Sequence, residues 1–586
     1  MASLSRKNFS ILIVLVFVAI ILSRLFFLQI IQGERYHRIS KNNFLKEVLV
    51  PSPRGDILDR FGRKIAISKP IINLYMKVNV SEEETRIKDF LTNKLNLDER
   101  TLKKIKFEKS PYISKRILLK KDLDINLIYQ LEPYIDEFES LELLIDYLRV
   151  YPYGEVGAHK IGYLRTNDKR DLIYGSFLSS RSGASGLEKK YDTVLQGRLG
   201  AKFLLVDNQG KEIEGDEDSA VAIETKSGKN ISLTVDIELE KLIYEAFGKL
   251  NGAAMVHDIS SGEILALVSK PSFDPNLFAQ PISNKNWKQL NSDETRPFMD
   301  RALLASYPPG SIIKIITATA ALEEKVITKD TKLHCPGSIN IGGRRFRDWL
   351  KGGHGTINVE QAIIGSSDVF FYQVGLKLGI KRYSNWLEKF RIGHSTKLPF
   401  AQNAGTVPNQ KFIKKYLKGK FYPGDMANVS IGQGYLTLNV VQASVMTSII
   451  ASNGYVPSLH IVKKNESLKN EKIEIRESTL KTVQKGLLGV INDKKGTGGY
   501  ARDDGKLAGK TGTAQVISKD ARQYGYGKFR NHGWFTAYYP YDNPKIVISV
   551  FAEHGSSGGA AGGPIIKKIV RYYKANYIKE KKKKDI

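Results

Sequence analysis

One serine and one lysine lie on the first turn of an apolar segment. A Pro-Pro-Gly turn at residues 308–310 leads into residues 311–324, where alanine and isoleucine repeat at helical spacing. Because the prolines and the glycine end any helix that arrives from upstream, Ser311 is placed at the start of a new helix. Ser311 and Lys314 are three residues apart and therefore share one face of that helix.

This pair has the composition of an activated nucleophile. A serine alcohol attacks a carbonyl carbon when a neighbouring base accepts its proton, and Lys314 is the candidate base. A free lysine has a pKa of about 10.4, so general-base catalysis near neutral pH needs this pKa lowered by roughly 3. Burial and a second cation, for which Lys510 is available, can lower it. The pattern alone is weak evidence, since Ser478 and Lys481 repeat it in a charged stretch.

Two later motifs supply further polar side chains. Ser366, Ser367 and Asp368 lie at the junction between a loop and an apolar helical segment, residues 369–378. A single Lys-Thr-Gly-Thr sequence, residues 510–513, lies within a predicted strand, where the small glycine lets a ligand approach the backbone. Three separate segments therefore carry the hydroxyl and amine groups that acyl transfer needs.

The combined set of Ser-x-x-Lys, Ser-x-Asp and Lys-Thr-Gly resembles the penicillin-recognising serine acyltransferases. The amino-terminal half resembles the non-catalytic pedestal of class B penicillin-binding proteins, through an Arg-Gly hairpin at 54–63, an Arg-x-Tyr-Pro segment at 149–152 and a Gly-x-x-Gly-Leu-Glu turn at 183–188. The resemblance covers nearly the whole chain. No segment resembles the glycosyltransferase domain of the class A relatives.

The resemblance implies a mechanism. Ser311 attacks the carbonyl of a penultimate D-alanine, the terminal D-alanine leaves, and an amine of a second stem peptide resolves the acyl-enzyme. Lys314 is implied to be the base for the attack. Ser366 is implied to relay a proton to the leaving nitrogen, and Asp368 to hold Lys314 and the Ser366 loop in position.

The Lys-Thr-Gly-Thr sequence is implied to bind the substrate. Lys510 supplies positive field and, with Thr511 and Thr513, binds the substrate carboxylate, while Gly512 leaves room beside the backbone. The backbone amides of residues 311 and 513 are implied to form the oxyanion hole, where one donor is worth about 2.7–4 kcal/mol.

Asp368, where many relatives carry asparagine, resembles the elongation-specific branch, penicillin-binding protein 2. Segments 346–349, 353–355, 431–434 and 532–535 resemble the same branch.

Some members of that branch bind zinc between the first two motifs, with a cysteine at the position of Ser367. This chain lacks that cysteine, but Cys335, Asp348 and His354 remain as candidate ligands, and three mixed ligands with a water can hold zinc. A structural thiol and a loop histidine are the alternative. The implied reaction itself requires no cofactor.

Residues 10–32 form the predicted membrane anchor. Residues 11–22 are uninterruptedly apolar, and about 20 helical residues cross the roughly 30 Å hydrocarbon core. Arg6 and Lys7 precede the segment, which predicts a cytoplasmic amino terminus and an exported catalytic domain. Because no Ala-x-Ala-like cleavage site follows, an uncleaved single-pass anchor in the cytoplasmic membrane is favoured over a signal peptide.

The charge and the cysteine content argue against nucleic-acid binding and against disulfides. The net charge is +29, but lysine and arginine are scattered among 61 acidic residues, without basic runs interleaved with aromatics except in the tail. Nucleic-acid binding is therefore not predicted, and a positive surface facing anionic lipid and wall polymer is favoured. A single cysteine excludes internal disulfides.

The pattern of residues changes near residue 231. Predicted strands at both ends of the remaining chain, with helices between them, indicate an α+β domain with an antiparallel sheet flanked by helices. The sequence predicts a mixed, extended pedestal before it. The predicted domains are a cytoplasmic tail (1–9), the transmembrane anchor (10–32), a pedestal of the dimerisation type (33–230), a transpeptidase domain (231–575) and a basic tail (576–586).

The leading hypothesis is a membrane-anchored D,D-transpeptidase that crosslinks peptidoglycan stem peptides during elongation and is acylated by β-lactams, with a possible carboxypeptidase side activity. Because the chain lacks a polymerising domain, the resemblance implies a SEDS-family glycosyltransferase partner and other elongation-complex proteins. Two alternatives are a β-lactam-hydrolysing or β-lactam-sensing serine acyltransferase, and an idle scaffold that activates the glycosyltransferase.

Overall fold

The structure is a computed structural model that describes most of the chain. The described residues are 6–34, 36, 45–77, 84–93, 116–138, 140–165, 181–205, 222–279, 282–464, 471–516 and 530–578. Most of the predicted cytoplasmic tail and most of the predicted basic tail lie outside them.

The first helix stands apart from the rest of the chain. Helix α1 (Arg6–Phe26) continues into one π-helical turn, Phe27–Ile31. Ile11–Ile31 has the length and apolar composition to cross a membrane, and none of it is buried. The Arg24 guanidinium lies 5.6 Å from the centre of the Phe27 ring, so this charge is directed toward one end of the apolar segment.

Two principal sheets form the pedestal, and the second of them also includes β10 from the start of the next domain. One has the strand order β1-β8-β9, and the other has the order β10-β2-β3-β4 with β5 also paired to β3. The strands are β1 (Leu45–Val50), β2 (Ile57–Leu58), β3 (Lys64–Lys77), β4 (Arg116–Lys120), β5 (Leu141–Val150), β6 (Leu164–Arg165), β7 (Ser182–Gly183), β8 (Gly200–Leu205), β9 (Ala222–Ile223) and β10 (Ile231–Ser232). The helices are α2 (Glu84–Asn93), α3 (Ile125–Glu137), α4 (Ala158–Ile161), α5 (Gly186–Lys190) and α6 (Asp192–Leu195).

The antiparallel pair of long strands β3 and β5 carries a separate small core. Leu74 and Met76 of β3 pack with Ile87 and Leu91 of α2, away from the main core of the molecule. The pedestal therefore has more than one lobe, as its short apolar runs predict.

A buried ion cluster joins distant parts of the pedestal. The two carboxylate oxygens of Glu188 accept hydrogen bonds from Nε of Arg54 and Nε of Arg149, each at 2.7 Å. All three side chains are almost fully buried. The Arg-Gly hairpin and the end of β5 are thus both fixed to one carboxylate of helix α5.

The second domain contains a five-stranded antiparallel sheet of order β12-β11-β21-β20-β19. Its strands are β11 (Asn251–Asp258), β12 (Ile264–Lys270), β13 (Leu333–Cys335), β14 (Ser338–Ile341), β15 (Arg344–Arg347), β16 (Gly355–Ile357), β17 (Tyr455–Val456), β18 (Glu471–Lys472), β19 (Ala508–Ala514), β20 (His532–Tyr539) and β21 (Ile546–Glu553). Its helices are α7 (Ile237–Ala246), α8 (Asn284–Ser292), α9 (Lys314–Glu323), α10 (Val359–Gly365), α11 (Asp368–Lys389), α12 (Gln410–Tyr416), α13 (Pro423–Ser430), α14 (Val440–Ala451), α15 (Glu477–Asn492) and α16 (Gly558–Tyr573).

Helices cover both faces of this sheet. Side chains alternate along a strand, so Phe535 and Thr536 of β20 point to opposite faces. Thr536 shares a 2.6 Å hydrogen bond with Thr447 of the fully buried α14, while Gly562 of α16 lies against Phe535. The predicted α+β class, with an antiparallel sheet flanked by helices, is confirmed.

The elements differ from the sequence predictions in two details. Residues 310–313 form a 3₁₀ turn before α9, so Ser311 precedes the α-helix instead of opening it. The predicted helix 369–378 continues to Lys389 across a kink at Gly379, whose backbone is non-helical. Both differences arise where glycine allows a positive φ, at Gly310 and at Gly379.

The carboxyl-terminal helix α16 links the second domain to the pedestal. The hydroxyls of Tyr572 and Tyr577 each donate to one carboxylate oxygen of buried Asp236, at 3.0 Å. The other oxygen of Asp236 accepts from Arg63 of the pedestal hairpin at 3.1 Å. The Tyr577 ring also lies 6.2 Å from that of Phe61.

Replacement of Glu188 by alanine tests the buried ion cluster. The change leaves Arg149 without a carboxylate and Arg54 with Asp192 alone, so we expect a loss of about 3–5 kcal/mol in the free energy of unfolding. Thermal unfolding followed by circular dichroism measures this. Glu477→Ala, which removes an exposed ion pair with Lys481, is the control and should leave the midpoint unchanged. Equal midpoints for the two variants would contradict the prediction.

Candidate active site

The turn that carries Ser311 is held by backbone contacts. Gly310 has φ of +55° and donates its amide hydrogen to the carbonyl of Gly432 at 2.9 Å. A Cβ atom at Gly310 would lie 2.6 Å from the carbonyl oxygen of Thr513. The turn is therefore pressed against edge strand β19, and only glycine fits this approach.

Lys314 is fully buried at the first residue of α9. Its Nζ donates to the carboxylate of Asp368 at 2.7 Å and to the carbonyl oxygen of Ser366 at 2.8 Å. The same Nζ lies 3.4 Å from the hydroxyl oxygen of Ser366. The carboxylate and the carbonyl fix the direction of the amine, so it is held toward the Ser366 hydroxyl.

Ser366 lies between two helices in a left-handed conformation. It follows α10 with φ of 55° and ψ of 42°, which is unusual for a residue other than glycine. Ser367 then caps α11, because its hydroxyl oxygen accepts from the amide of Phe370 at 3.3 Å. Such strained backbone geometry is common where a side chain is held for function.

Lys510 approaches Ser366 from the sheet. It lies on β19, is fully buried, and donates to the Ser366 hydroxyl at 2.8 Å and to the carbonyl oxygen of Thr511 at 3.1 Å. Burial and the nearby charge of Lys314 hold the pKa of Lys510 well below its usual range, and Asp368 opposes this in part. Lys510 therefore loses its proton more readily than an isolated lysine does.

A cleft of ≈ 680 Å³ opens over this arrangement. Six of the sequence-predicted residues line it, namely Ser311, Ser366, Asp368, Thr511, Gly512 and Thr513. Lys314 and Lys510 are both buried, and the amines of both reach Ser366. The structure thus brings together all eight residues of the three motifs.

Other residues of the cleft were not assigned roles from the sequence. The hydroxyl of Thr497 shares a 2.6 Å hydrogen bond with that of Thr511, and the amide of Gln433 donates to the Thr513 carbonyl at 3.2 Å. Tyr372 and Asn428 also line the cleft. Glycines flank both Gln433 and Thr497 in the sequence. Because glycine often marks a close approach of a ligand to the backbone, these glycines are the signal that could have identified the two residues.

A second supporting cluster lies behind the turn that carries Ser311. The hydroxyl of Tyr307 donates to Glu553 at 3.1 Å, and Arg301 Nε donates to the other oxygen of the same carboxylate at 2.8 Å. Burial and the Glu553 charge raise the pKa of Tyr307, so its hydroxyl stays protonated. Trp534 Nε1 donates to the Pro308 carbonyl at 2.9 Å. These contacts fix the chain just before the serine.

The three candidate zinc ligands lie around Ser367. Asp348 Oδ2 accepts from the Ser367 hydroxyl and from the amide of Val369, both at 3.0 Å, and lies 3.5 Å from Nδ1 of His354. Cys335 is buried beside them. Across the described residues, no three His, Cys, Asp or Glu side chains are placed to share a metal ion. The zinc hypothesis stays a prediction, which metal analysis can test.

Comparisons with known proteins cover both domains. The model of the penicillin binding protein transpeptidase domain matches residues 252–571, and that of the penicillin-binding protein dimerisation domain matches residues 49–233. The peptidoglycan D,D-transpeptidase MrdA of Haemophilus influenzae is 34% identical over 96% of this chain and 90% of that protein. MrdA of Escherichia coli K12 is 31% identical over 94% of this chain and 91% of that protein.

Solved structures agree with these matches. Penicillin-binding protein PBP2 of Helicobacter pylori, in its complex with MreC, has a TM-score of 0.80 and 27% identity, covering 91% of this chain and 100% of that one. A dimerisation-type domain followed by a transpeptidase-type domain with a serine and two lysines at its cleft defines a two-domain serine acyltransferase. The chain belongs to the penicillin-binding proteins.

Replacement of Asp368 by asparagine tests the electrostatics of the lysine pair. The Asp368 charge raises the pKa of Lys510, so its removal lowers that pKa further. If acylation needs an unprotonated amine in the pair, the acidic limb of the pH–rate profile moves to lower pH in the variant. Acylation by a fluorescent penicillin, measured from pH 5.5 to about 9, follows the limb.

Wild-type protein measured in the same buffers is the reference for this shift. We expect the Asp368→Asn variant to keep measurable acylation, because the amide oxygen can still accept a hydrogen bond from Lys314. An acidic limb that stays in place or moves to higher pH would contradict the electrostatic account.

Proposed function

We propose that this chain is a peptidoglycan D,D-transpeptidase that crosslinks stem peptides through an acyl-enzyme on Ser311. The observation that carries the proposal is the convergence of the amines of Lys314 and Lys510 on the Ser366 hydroxyl, beside a cleft that Ser311 lines. Relatives that match over nearly the full chain are named for this activity.

Acylation begins at Ser311. Its Oγ attacks the carbonyl carbon of the penultimate D-alanine as Lys314 accepts the hydroxyl proton, and a tetrahedral intermediate forms. The carbon–nitrogen bond to the terminal D-alanine then breaks. Ser366 delivers a proton to that leaving nitrogen and regains one from the lysine pair, to which it is hydrogen-bonded. An ester on Ser311 and a free D-alanine result.

The edge strand β19 binds the substrate in this scheme. Thr511 and Thr513 line the cleft, where their hydroxyls and the field of the buried lysine bind the terminal carboxylate. The backbone amides of Ser311 and Thr513 receive the developing oxyanion. The close approach of Gly310 to the carbonyl of Thr513 supports this pairing, since it brings the serine turn against the strand.

The second half-reaction consumes an amine. The side-chain amine of a second stem peptide attacks the ester carbonyl, its proton passes to the lysine pair, and Ser311 is released with its own proton. Transpeptidation therefore needs the cleft to admit an amine in the place that the leaving D-alanine vacates. A β-lactam leaves its amine tethered in the adduct, which explains a long-lived inhibited state.

The setting of the reaction is the outer side of the cytoplasmic membrane. Ile11–Ile31 anchors the chain, and the positive residues before it favour a cytoplasmic amino terminus. Residues 10–32 form the anchor, 33–230 the pedestal and 231–575 the transpeptidase domain in this proposal. Strand β10 pairs in parallel with β2 and so links the last two.

A SEDS-family glycosyltransferase is the proposed partner that polymerises the strands. A solved peptidoglycan synthase complex, described as coordinating polymerization and crosslinking, matches 98% of this chain with a TM-score of 0.72 and 28% identity. The similar complex of PBP2 with MreC supports a further partner among the elongation-complex proteins.

Metal analysis tests the zinc hypothesis. Because Asp348 is engaged by Ser367 and Val369, we expect purified protein to hold no more zinc than the Cys335→Ser variant. Inductively coupled plasma mass spectrometry of both proteins, after dialysis against a weak chelator, measures the content. About one zinc per wild-type chain that is lost in the variant would overturn this expectation.

Mass spectrometry of the intact protein after exposure to benzylpenicillin tests the nucleophile. We expect one covalent adduct, stable for many minutes and mapped to the peptide that contains Ser311, because the tethered leaving group blocks deacylation. The Ser311→Ala variant should form no adduct.

Ser478→Ala is the matched control, since Ser478 and Lys481 repeat the Ser-x-x-Lys pattern at exposed positions of helix α15. It should be acylated as wild type is. An adduct that survives in Ser311→Ala contradicts the assignment of the nucleophile, and rapid turnover of the drug favours a β-lactamase instead.

A further inference from the structure

One exposed arginine lines the cleft. Arg347 ends strand β15 and lines the cleft together with Asp368. These two are the charged side chains among the described residues of the lining. The Arg347 side chain is exposed, and within the described ranges its guanidinium makes no ion pair or hydrogen bond. A fixed positive charge therefore faces the space that the substrate enters.

The backbone at Arg347 is fixed to the catalytic loop. The next residue, Asp348, accepts from the Ser367 hydroxyl and the Val369 amide, both at 3.0 Å. Trp349 Nε1 donates to the Gly365 carbonyl at 3.1 Å. These contacts join the end of β15 to the residues on either side of Ser366. The arginine is thus held at a set position relative to the reacting groups.

Phe346 anchors the strand from the other side. It is buried, its ring lies 5.5 Å from the Tyr372 ring, and it packs against Gly424. Side chains alternate along a strand, so the buried Phe346 directs Arg347 away from this core. Phe346 of this strand therefore packs in the core, whereas the Arg347 guanidinium is available to a ligand in the cleft.

We propose that Arg347 determines substrate specificity by binding a carboxylate of the stem peptide other than that of the terminal D-alanine. This inference rests on the proposed function. The terminal carboxylate is assigned to the threonines of edge strand β19, whereas Arg347 belongs to the side of the cleft next to Ser366. A guanidinium binds carboxylates in a two-point geometry that a neutral amide cannot match.

Two β-lactams that differ by one carboxylate test whether Arg347 binds the donor peptide, which is the peptide that acylates Ser311. Carbenicillin is benzylpenicillin with an added carboxylate on its side chain, which takes the place of the peptide residue before D-alanine. We expect Arg347→Gln to lower the second-order rate of Ser311 acylation by carbenicillin about fivefold and to leave that of benzylpenicillin within about twofold. Arg347→Lys should restore part of the loss.

Arg344→Gln is the matched control, because Arg344 lies on the same strand, is equally exposed and does not line the cleft. It should change neither rate. Normal acylation by benzylpenicillin also shows that each variant is folded.

A second experiment, the acceptor arm, tests whether the carboxylate that Arg347 binds belongs to the acceptor whose amine attacks the acyl-enzyme. The acyl-enzyme made from a D-alanyl thioester is released with D-methionine or D-methioninamide. We expect Arg347→Gln to reduce the preference for the free acid if the acceptor supplies the carboxylate. A loss of carboxylate dependence in either experiment supports the proposal and shows whether Arg347 binds the donor or the acceptor peptide.

If Arg347→Gln affected ligands with and without the extra carboxylate equally in both experiments, the role of Arg347 would be overturned. The acyl-enzyme on Ser311 would still form in that case. Failure of wild-type protein to be acylated by benzylpenicillin would instead overturn the proposed function itself. The two failures are therefore distinguishable in one set of measurements.

Discussion

The structure depends on two lysine amines that are held together in a buried space around one hydroxyl. Lys314 and Lys510 are fully buried, and like charges at this distance repel, so the fold must supply compensation. It does so with Asp368, with the carbonyl oxygens of Ser366 and Thr511, and with the Ser366 hydroxyl. Helix α9, the α10–α11 junction and strand β19 must all be in place for this to be possible. The sheet and its covering helices can be understood as the support for that arrangement.

Much of this site could be predicted from the sequence because its parts are short. Each motif places its polar residues within four positions, and the apolar runs beside them predict the helix or strand that carries them. Ser311 illustrates the limit, since the 3₁₀ turn depends on Gly310 meeting the carbonyls of Gly432 and Thr513, which are far away in the chain. Local spacing cannot reveal such a contact.

The residues that the sequence did not identify share a physical reason. Glu553, Thr497 and Arg301 act through partners that are distant in sequence, and each looks like an ordinary surface or strand residue by itself. The candidate zinc ligands show the converse case. Cys335, Asp348 and His354 are suitable residue types and do come close to one another, but whether they share a metal ion stays a prediction. The sequence can predict that these side chains lie close together. Coordination of a metal also depends on the angles between them, which composition does not specify.

Helix α16 gives the molecule an unexpected link between its two ends. Gly559 and Ala560 in its first turn lie on the wall of the cleft, and Tyr572 in its last turn donates to Asp236. Tyr577, in the π-helical turn that follows, also donates to Asp236 and contacts the pedestal hairpin. A helix of this length behaves as a stiff rod, so a tilt imposed at one end displaces the other. The catalytic groove and the contacts with the pedestal therefore depend on one continuous element.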